Sequence, residues 1–289
     1  MMRNYVIVED ILPSGDSLME LRNNLKADNR RRAPDLLRLD SQQDICVSAY
    51  DEQGIMVGGV VGEAELGWLY IDTIWVASEL RQQGLGRRLM HAVEQTAYKQ
   101  GLRYARLITS SFQALPFYLK LGYTVTGQND NRPHGHTTYF LMKTLHPEPV
   151  DLTDLRVDVP PPPAISRTIG QNQVAASPVP IINLPYAIWI KDFESNLLGG
   201  VAGGFFWDWY DLRLLWIDDR LRGQGVGTQV MERLFAECRR RQANGIAAET
   251  IDFQALPFYQ KLGFELLFTL DDYPLGHRGH FIVKTDFES

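Results

Sequence analysis

The sequence contains one short pattern whose residue types suit the binding of a phosphate group. The pattern is Arg-x-x-Gly-x-Gly, and it occurs at residues 81–86 and again at residues 222–227. In both places a run of β-branched and aromatic residues precedes it and a helical pattern follows it. Glycines allow a bend at which backbone N–H groups converge, and the helix N-terminus adds a partial positive charge. The pattern therefore predicts two sites for a phosphate or a pyrophosphate.

Two other phosphate-binding loops do not fit these residues. A P-loop requires GxxxxGK[ST], and no Lys-Ser or Lys-Thr follows either pattern. A dinucleotide-binding loop requires GxGxxG, but Leu89 and Val230 stand where the third glycine would be. A tight turn that binds no ligand is the structural alternative.

A second pattern shows that the chain contains an internal repeat. Residues 112–123 read FQALPFYLKLGY and residues 253–264 read FQALPFYQKLGF, identical at ten of twelve positions. The same shift of 141 residues places the first glycine pattern on the second. A period of this length is too long for a solenoid, so we expect two copies of one folded domain, each with its own core.

Composition narrows the class of protein. The 289 residues are 45% hydrophobic and 22% charged, as in globular proteins, and the net charge of −6 argues against nucleic-acid binding. The two cysteines, Cys46 and Cys238, have no zinc-ligand spacing, so we expect no metal and a reducing compartment. We find no signal peptide and no apolar run of transmembrane length, which favours a cytoplasmic protein without membrane contact.

The periodicity of each copy predicts an α/β (α+β) domain with a mixed sheet. The first copy predicts strands at 6–11, 45–50, 55–62, 68–76, 103–110 and 137–145, and helices at 16–31, 86–100 and 114–122. The second predicts strands at 187–191, 197–203, 209–217, 246–251 and 280–285, and helices at 227–244 and 255–262. We expect an N-terminal domain at 1–145, a Pro-rich linker at 146–163 and a C-terminal domain with a shortened N-terminal region at 164–289, since prolines 160–163 favour an extended segment.

At these residues the chain resembles the GNAT superfamily of N-acetyltransferases. Its first signature is Arg/Gln-x-x-Gly-x-Gly/Ala after the fourth strand, which residues 81–86 and 222–227 match. Its second is an alanine followed four residues later by tyrosine and then by x-Lys-x-Gly-Phe/Tyr, which residues 114–123 and 255–264 match. The resemblance covers nearly all of the first copy and the second copy from about residue 186.

The resemblance implies two domains, each with a splayed central sheet flanked by helices and acetyl-CoA as co-substrate in the gap beside the fourth strand. It also implies that the two halves of a tandem protein need not both be active. The residues expected to bind the cofactor are Trp75, Val76, Arg81, Gln82, Gln83, Gly84, Leu85, Gly86 and Arg87 in the first copy. In the second copy they are Trp216, Ile217, Arg222, Gly223, Gln224, Gly225, Val226, Gly227 and Thr228.

Acyl transfer from a thioester to an amine requires an oxyanion donor, a neutral amine and a proton for the thiolate. A backbone N–H at Val76 or Ile217 could be the oxyanion donor. By their place in the motif, Tyr118 and Tyr259 are the candidate general acids, and the alternative is a pair of core aromatics. Asp72 is the candidate base, because strand alternation places it on one face with residues 70, 74 and 76.

Several alternatives stay open at this point. The Asp72 carboxylate could simply be solvated or salt-bridged, and Arg213 occupies its place in the second copy. His136 and His277 lie in repeated Pro-x-Gly-His turns, where we expect them to satisfy backbone groups. The basic residues 30–32 are expected at a solvated helix end.

We predict an N-acetyltransferase that transfers the acetyl group of acetyl-CoA to a primary amine of a small molecule by direct attack. The alternatives are a peptide or protein N-acetyltransferase and a non-catalytic acyl-CoA-binding sensor or scaffold. We expect both halves to keep a cofactor cleft and the first to perform transfer, because it retains a helix before its second strand. The protein is expected to be a monomer that forms an internal pseudo-dimer, or a homodimer.

Overall fold

A computed structural model describes residues 5–36 and 43–287 of the chain. The strands are β1 (Val6–Asp10), β2 (Ile45–Tyr50), β3 (Met56–Glu65), β4 (Trp68–Val76), β5 (Tyr104–Ser110), β6 (Thr124–Asn129), β7 (Thr138–Thr144), β8 (Leu155–Asp158), β9 (Asn183–Lys191), β10 (Leu197–Phe206), β11 (Trp209–Ile217), β12 (Gly245–Ile251), β13 (Glu265–Asp271) and β14 (Arg278–Lys284). The helices are α1 (Gly15–Arg32), α2 (Leu85–Lys99), α3 (Leu115–Lys120), α4 (Pro163–Ala175), α5 (Val226–Arg240) and α6 (Leu256–Lys261).

These strands form two mixed sheets of seven strands each. The first has the order β6-β7-β5-β4-β3-β2-β8 and the second β1-β9-β10-β11-β12-β14-β13. Helices α2 and α5 pack on the two sheets with Leu89, Val93, Val230 and Leu234 fully buried. The α/β fold with two domain-like sheets is confirmed. Strands β6 and β13 follow the repeated motif and were not predicted.

One edge strand of each sheet comes from the other half of the sequence. Strand β1 pairs antiparallel with β9, with Val8 opposite Trp189. Strand β8 pairs antiparallel with β2, with Val157 opposite Val47. The expected boundaries at 145 and 163 are therefore wrong. The stretch expected to be a linker contains an edge strand, and the N-terminal segment belongs to the second sheet.

The helices after these two strands are exchanged in the same way. The fully buried Leu21 of α1 packs with Ala187 and Trp189 of the second sheet. The fully buried Ile169 of α4 packs with Cys46 and Val61 of the first sheet. Each sheet is therefore covered on this face by a helix from the other copy, α1 on the second sheet and α4 on the first.

Both sheets open beside a central strand. Parallel pairing of β4 with β5 ends at Ile71 and Leu107, although both strands run on. Parallel pairing of β11 with β12 ends at Leu212 and Ala248. The predicted splaying of the sheet is confirmed, and it leaves a gap at the same place in both halves.

A β-bulge interrupts the fourth strand of each sheet. On β4, Thr73 pairs with Val61 and Ile71 with Gly62, so Asp72 is the extra residue. The same shift on β11 makes Arg213 the extra residue. Leu69 and Ile71 face the core under α2 before the bulge, and Ile74 and Val76 face it afterwards. The prediction that Asp72 shares a face with residues 70, 74 and 76 is wrong, because a bulge changes the alternation.

The two sheets meet through an aromatic cluster and matched hydrogen bonds. The cluster contains Trp68, Phe140, Leu270, Tyr273 and Phe281, which are all buried. The Trp68 indole N–H donates to the Asp272 carbonyl at 2.7 Å. The Trp209 indole N–H donates to the Asn131 carbonyl at 3.0 Å, and both residues lie at the repeat spacing from the first pair. The halves therefore contact each other with an internal pseudo-two-fold arrangement. Within the described ranges, no helix has the length and apolar character required to cross a membrane.

Candidate active site

Each glycine pattern forms a bend that opens a helix. Gly84 has φ +90° and is the N-cap of α2, and Gly225 has φ +76° and is the N-cap of α5. Because both caps are glycines, neither has a side chain that accepts a hydrogen bond from the first N–H groups of its helix. A Cβ built on either glycine would meet no atom within 4 Å. The bends thus present uncapped helix N-termini to open space, which suits an anion.

The second glycine of each pattern has a different role. A Cβ on Gly86 would lie 3.4 Å from the ring of Phe117, and a Cβ on Gly227 would lie 3.4 Å from the ring of Phe258. These glycines therefore allow the short helix of the second motif to pack closely against the bend. This contact explains why the two motifs occur together in each copy.

The motif arginines fasten the bend to the end of the preceding strand. The Arg81 Nε donates to the Val76 carbonyl at 3.0 Å, and the Arg222 Nε donates to the Ile217 carbonyl at 2.8 Å. The side chains thus fix the loop geometry, a role that the sequence did not indicate.

The backbone N–H groups of Val76 and Ile217 face the gap in each sheet. The Ala77 N–H donates to the Val57 carbonyl, which makes Val76 and Gly58 a non-hydrogen-bonded pair. The polar groups of Val76 therefore point away from β3 and toward the opening beside β5. The Asp218 N–H donates to the Leu198 carbonyl, which places Ile217 in the same way. Each gap thus has an inward-facing N–H where the parallel pairing has ended.

Two cavities in the first half share a wall that includes Trp75, Val76 and Tyr118. One, of about 860 Å³, is lined by the bend and the second motif, and we call it the cofactor cavity. The other, of about 510 Å³, is lined by Asp72, Phe112 and residues from 173 to 181, and we call it the acceptor cavity. Tyr118 lines both cavities. The exchanged helix α4 and the residues after it therefore cover the acceptor side of the first cleft.

The second half has one cavity of about 480 Å³ that joins the bend to the acceptor side. Helix α1 contributes Leu25, Asp28, Asn29 and Arg32 to its wall. At this end of the helix, Asp28 is buried and accepts hydrogen bonds from Arg222 at 2.9 Å and from Arg31 at 2.6 Å. Residues 30–32 lie in the last turn of α1, where Arg31 and Arg32 are exposed as expected, and both also bind Asp28 beside the second bend.

Most residues expected to bind the cofactor line these cavities. In the first half they are Trp75, Val76, Arg81, Gln82, Gly84, Gly86 and Arg87, and in the second Trp216, Ile217, Arg222, Gly223, Gly225, Val226, Gly227 and Thr228. The side chains of Gln83 and Gln224 instead donate to the carbonyls of Glu79 and Arg220, both at 2.7 Å. Leu85 packs against the first core.

The motif tyrosines are buried residues that remain protonated near neutral pH. Tyr118 is 8% exposed and Tyr259 is 5% exposed. Burial raises the pKa of Tyr118 to about 12 and that of Tyr259 well above its ordinary value. Each hydroxyl therefore carries a proton that it can donate.

Asp72 lies at the bulge, in the acceptor cavity and outside the cofactor cavity. Its side chain is exposed, yet it lies in a recess where loss of hydration raises its pKa, and nearby Arg213 acts in the opposite direction. Its counterpart in the second half is Arg213, so only the first cleft has a carboxylate on the bulge.

Sequence reasoning missed two kinds of residue. The Gln113 Oε1 accepts from the Ser110 N–H at 2.8 Å, and the Gln254 Oε1 accepts from the Ile251 N–H at 2.9 Å, so the repeated glutamines fix the ends of β5 and β12. Glu249 lines the second cavity, and aligning the copies would have shown it opposite Ile108. The N–H groups of His136 and His277 donate within the turns to the carbonyls of Pro133 and Pro274, both at 2.8 Å, and their rings contact the side chains of Ser111 and Asp252.

The arrangement fits acetyl-CoA in both halves. Each cleft combines an uncapped helix N-terminus, a gap with an inward-facing N–H and a buried tyrosine. Within the described ranges, no group of three or more His, Cys, Asp or Glu side chains is placed to hold a metal ion.

The chain matches known proteins in both halves. Two models of the acetyltransferase (GNAT) domain match residues 31–144 and 185–266. A blasticidin-S acetyltransferase of Streptomyces morookaense is 39% identical over 102 residues, which are 34% of this chain and 74% of that protein. An acetyltransferase of Agrobacterium fabrum is 28% identical over 102 residues, with coverages of 35% and 74%. An acetyltransferase structure from Bacillus cereus is 29% identical, covers 46% of this chain and 94% of that one, and has a TM-score of 0.41.

Proposed function

This chain belongs to the GNAT acetyltransferases, and on that premise we propose that it transfers an acetyl group from acetyl-CoA to a primary amine of a small molecule by direct attack of the amine. The chain is an acyl-CoA-dependent acetyltransferase. We propose the class of acceptor, the roles of the site residues and the contribution of each half to the activity.

The bends and strand ends hold the co-substrate in this proposal. Acetyl-CoA supplies a thioester whose acyl carbon an amine can attack. The backbone N–H groups at residues 82–87 and 223–228 bind its pyrophosphate. The inward-facing N–H of Val76 or Ile217 stabilises the negative charge that develops on the acyl oxygen.

The acid and base of the first cleft are Tyr118 and Asp72. Asp72 lies on the acceptor side and takes the amine proton, directly or through water. Tyr118 lies between the two cavities and donates a proton to the leaving thiolate. That position of Tyr118, lining both cavities, is the single observation that carries the proposal.

The acceptor side of the first cleft suits a small molecule. Its cavity of about 510 Å³ has residues from 173 to 181 in its wall, and a cavity of this volume is in the usual range for a small-molecule site. The relative from Streptomyces morookaense has blasticidin S as the acceptor in its name. Both observations favour a small amine over a peptide or protein acceptor.

We assign the larger share of transfer to the first cleft. The helix that the first copy retains, α1, does not support this assignment, because it lines the second cleft. The carboxylate at the bulge supports it instead, since the second copy has Arg213 there.

A thiol-release screen with acetyl-CoA tests the proposal. The panel contains ethanolamine, putrescine, spermidine, blasticidin S and a lysine-containing peptide. We expect release with at least one small amine, and a lower kcat in both Tyr118→Phe and Asp72→Asn. Release with the peptide alone would favour the peptide alternative, and coenzyme binding without release would favour the non-catalytic alternative. If transfer survived Tyr118→Phe unchanged but vanished with Tyr259→Phe, the assignment of halves would be wrong.

A further inference from the structure

The two clefts carry their carboxylates on different strands. Asp72 occupies the bulge of β4 in the first half, and Arg213 occupies the matching place on β11. On the neighbouring strand it is the second half that has the carboxylate, because Glu249 of β12 matches Ile108 of β5. Asp72 and Ile108 line the acceptor cavity of the first half, whereas Arg213 and Glu249 line the cavity of the second.

Glu249 lies on the acceptor side of the second cleft. On β12, Ile246 and Ala248 face the core under α5, so alternation places Glu249 on the opposite face. Helix α1 packs on that face through Leu21. Glu249 shares its cavity with Tyr259 and with the second glycine bend. A carboxylate, a tyrosine and a bend thus line one space.

An arginine from the first half holds Glu249. The Arg106 Nη1 lies 3.4 Å from Glu249 Oε2, and its Nη2 binds Glu65. The Arg106 side chain is 9% exposed, and its guanidinium lies 4.5 Å from the centre of the Tyr273 ring. Arg106 is therefore fixed by both halves, and it fixes Glu249 at the boundary between them.

We propose that the second cleft is also a transfer site, in which Glu249 is the catalytic base, and that Arg106 of the first half is its positioning residue. The amine nitrogen forms a bond to the acyl carbon as the carbon–sulfur bond breaks. The amine proton passes to the Glu249 carboxylate, and the Tyr259 hydroxyl gives its proton to the thiolate. Proton exchange with water then restores both side chains.

The surroundings of Glu249 suit a base. Burial raises the pKa of Glu249, and Arg106 acts in the opposite direction while Glu65 raises it further. A carboxylate with a raised pKa accepts a proton more readily near neutral pH. The other titratable or charged groups that face this space are Asp28 and Arg32 of α1, Arg213 of β11, Arg222 of the bend, Tyr259 and Lys261 of α6, and Tyr273.

This inference rests on the proposed function, and Tyr118→Phe separates the two. The probe is the fastest amine of the panel above, with acetyl-CoA and the full-length chain. We expect Tyr118→Phe to retain measurable transfer. Adding Glu249→Gln should lower the remaining kcat roughly 10²-fold at neutral pH, within the usual range for a general base, without changing the KM for acetyl-CoA. Adding Glu249→Asp instead should restore part of it.

The pH profile distinguishes a base from a merely structural ion pair. In the Tyr118→Phe background, Arg106→Gln should move the acid limb of kcat to higher pH, because Arg106 holds the pKa of Glu249 down. If the Glu249→Gln variant does not fold, a lower kcat in Glu249→Asp with an unchanged KM for acetyl-CoA would also identify Glu249 as the base.

Two results would overturn the inference. One is a complete loss of transfer in Tyr118→Phe while the wild type transfers, which would leave the proposed function intact. The other is a remaining transfer that neither Glu249 variant changes. Absence of transfer in the wild type would instead contradict the proposed function itself.

Discussion

Asp28 of the first repeat accepts a hydrogen bond at 2.9 Å from Arg222 of the second glycine pattern, across 194 positions of sequence. Asp28 is buried, and Arg31 and Arg32 complete its partners. The same Arg222 fastens the bend to Ile217. A helix encoded at the start of the chain is therefore bonded to the second cleft.

Asp28→Asn should destabilise the protein by about 1–3 kcal/mol at neutral pH, the usual cost of losing hydrogen bonds to charged groups. Burial alone would raise the pKa of Asp28, but hydrogen bonds from Arg222 and Arg31 outweigh it, so the pKa is lowered from 3.8. A lowered pKa contributes stability that is present above pH 3.8 and lost as the pH falls through the folded-state value. Urea unfolding of wild type and variant should therefore differ at pH 7 and converge in strong acid. A constant difference at every pH would contradict this.

The exchange of segments predicts that core mutations act on the opposite half of the sequence. Leu21→Ala and Ile169→Ala each remove a fully buried side chain, at a typical cost of about 2–5 kcal/mol. In hydrogen–deuterium exchange, Leu21→Ala should loosen β9 and β10, and Ile169→Ala should loosen β2 and β3. The two variants are controls for each other. If Leu21→Ala loosened β2 and β3 instead, each half would be folding on its own segment.

Gly84→Ala tests the first bend, and Gly101→Ala is its matched control. Both glycines have positive φ, +90° and +94°, and both have open space where a Cβ would go. The left-handed conformation should cost either variant about 1–2 kcal/mol of stability. Only Gly84→Ala should also weaken coenzyme A binding in calorimetry, by about 10-fold if one charge-assisted hydrogen bond is lost. Equal affinity in both variants would show that the first bend does not hold the coenzyme.

The two motif tyrosines should act as acids in their respective clefts. The double variant Tyr118→Phe with Tyr259→Phe should lower kcat roughly 10²–10⁴-fold, the usual contribution of a positioned acid. Because burial raises the pKa of Tyr118 to about 12, its loss should matter equally from pH 6 to pH 9.

Tyr123→Phe is the control for this experiment, because the Tyr123 ring packs edge-on against Tyr118 but lines neither cavity of the first half, and its hydroxyl donates to buried Glu94 at 2.9 Å. It should lower the free energy of unfolding and leave kcat unchanged. A similar loss of kcat in the control and the double variant would point to a packing role for the motif tyrosines.

Local patterns were sufficient for the elements and the bends. Strand β4 and strand β11 were predicted with their observed bounds, because aromatic and β-branched residues fill them. The two motifs placed Tyr118 and Tyr259 beside the gap. Residue spacing is enough for such features because they depend on near neighbours in sequence.

The exchange and the bulge depend on information that local patterns do not carry. The residue pattern of β1 does not determine the strand with which it pairs. Strands β2 and β9 occupy equivalent places in the two sheets, and β1 could pair with either. The bulges at Asp72 and Arg213 each add one residue to a strand. A strict alternation of side chains with a period of two therefore assigns the residues beyond the bulge to the wrong face. The pairing of Glu249 with Arg106 also depends on how the two halves meet, which local patterns do not show, although the repeat alignment places Glu249 opposite Ile108.

A crystal structure with coenzyme A bound would show what the two glycine bends hold. We expect pyrophosphate density within hydrogen-bond distance of the backbone N–H groups at the start of α2 and α5, with the thiol near Tyr118 and Tyr259. Coenzyme bound elsewhere, with both bends free of phosphate, would contradict this expectation.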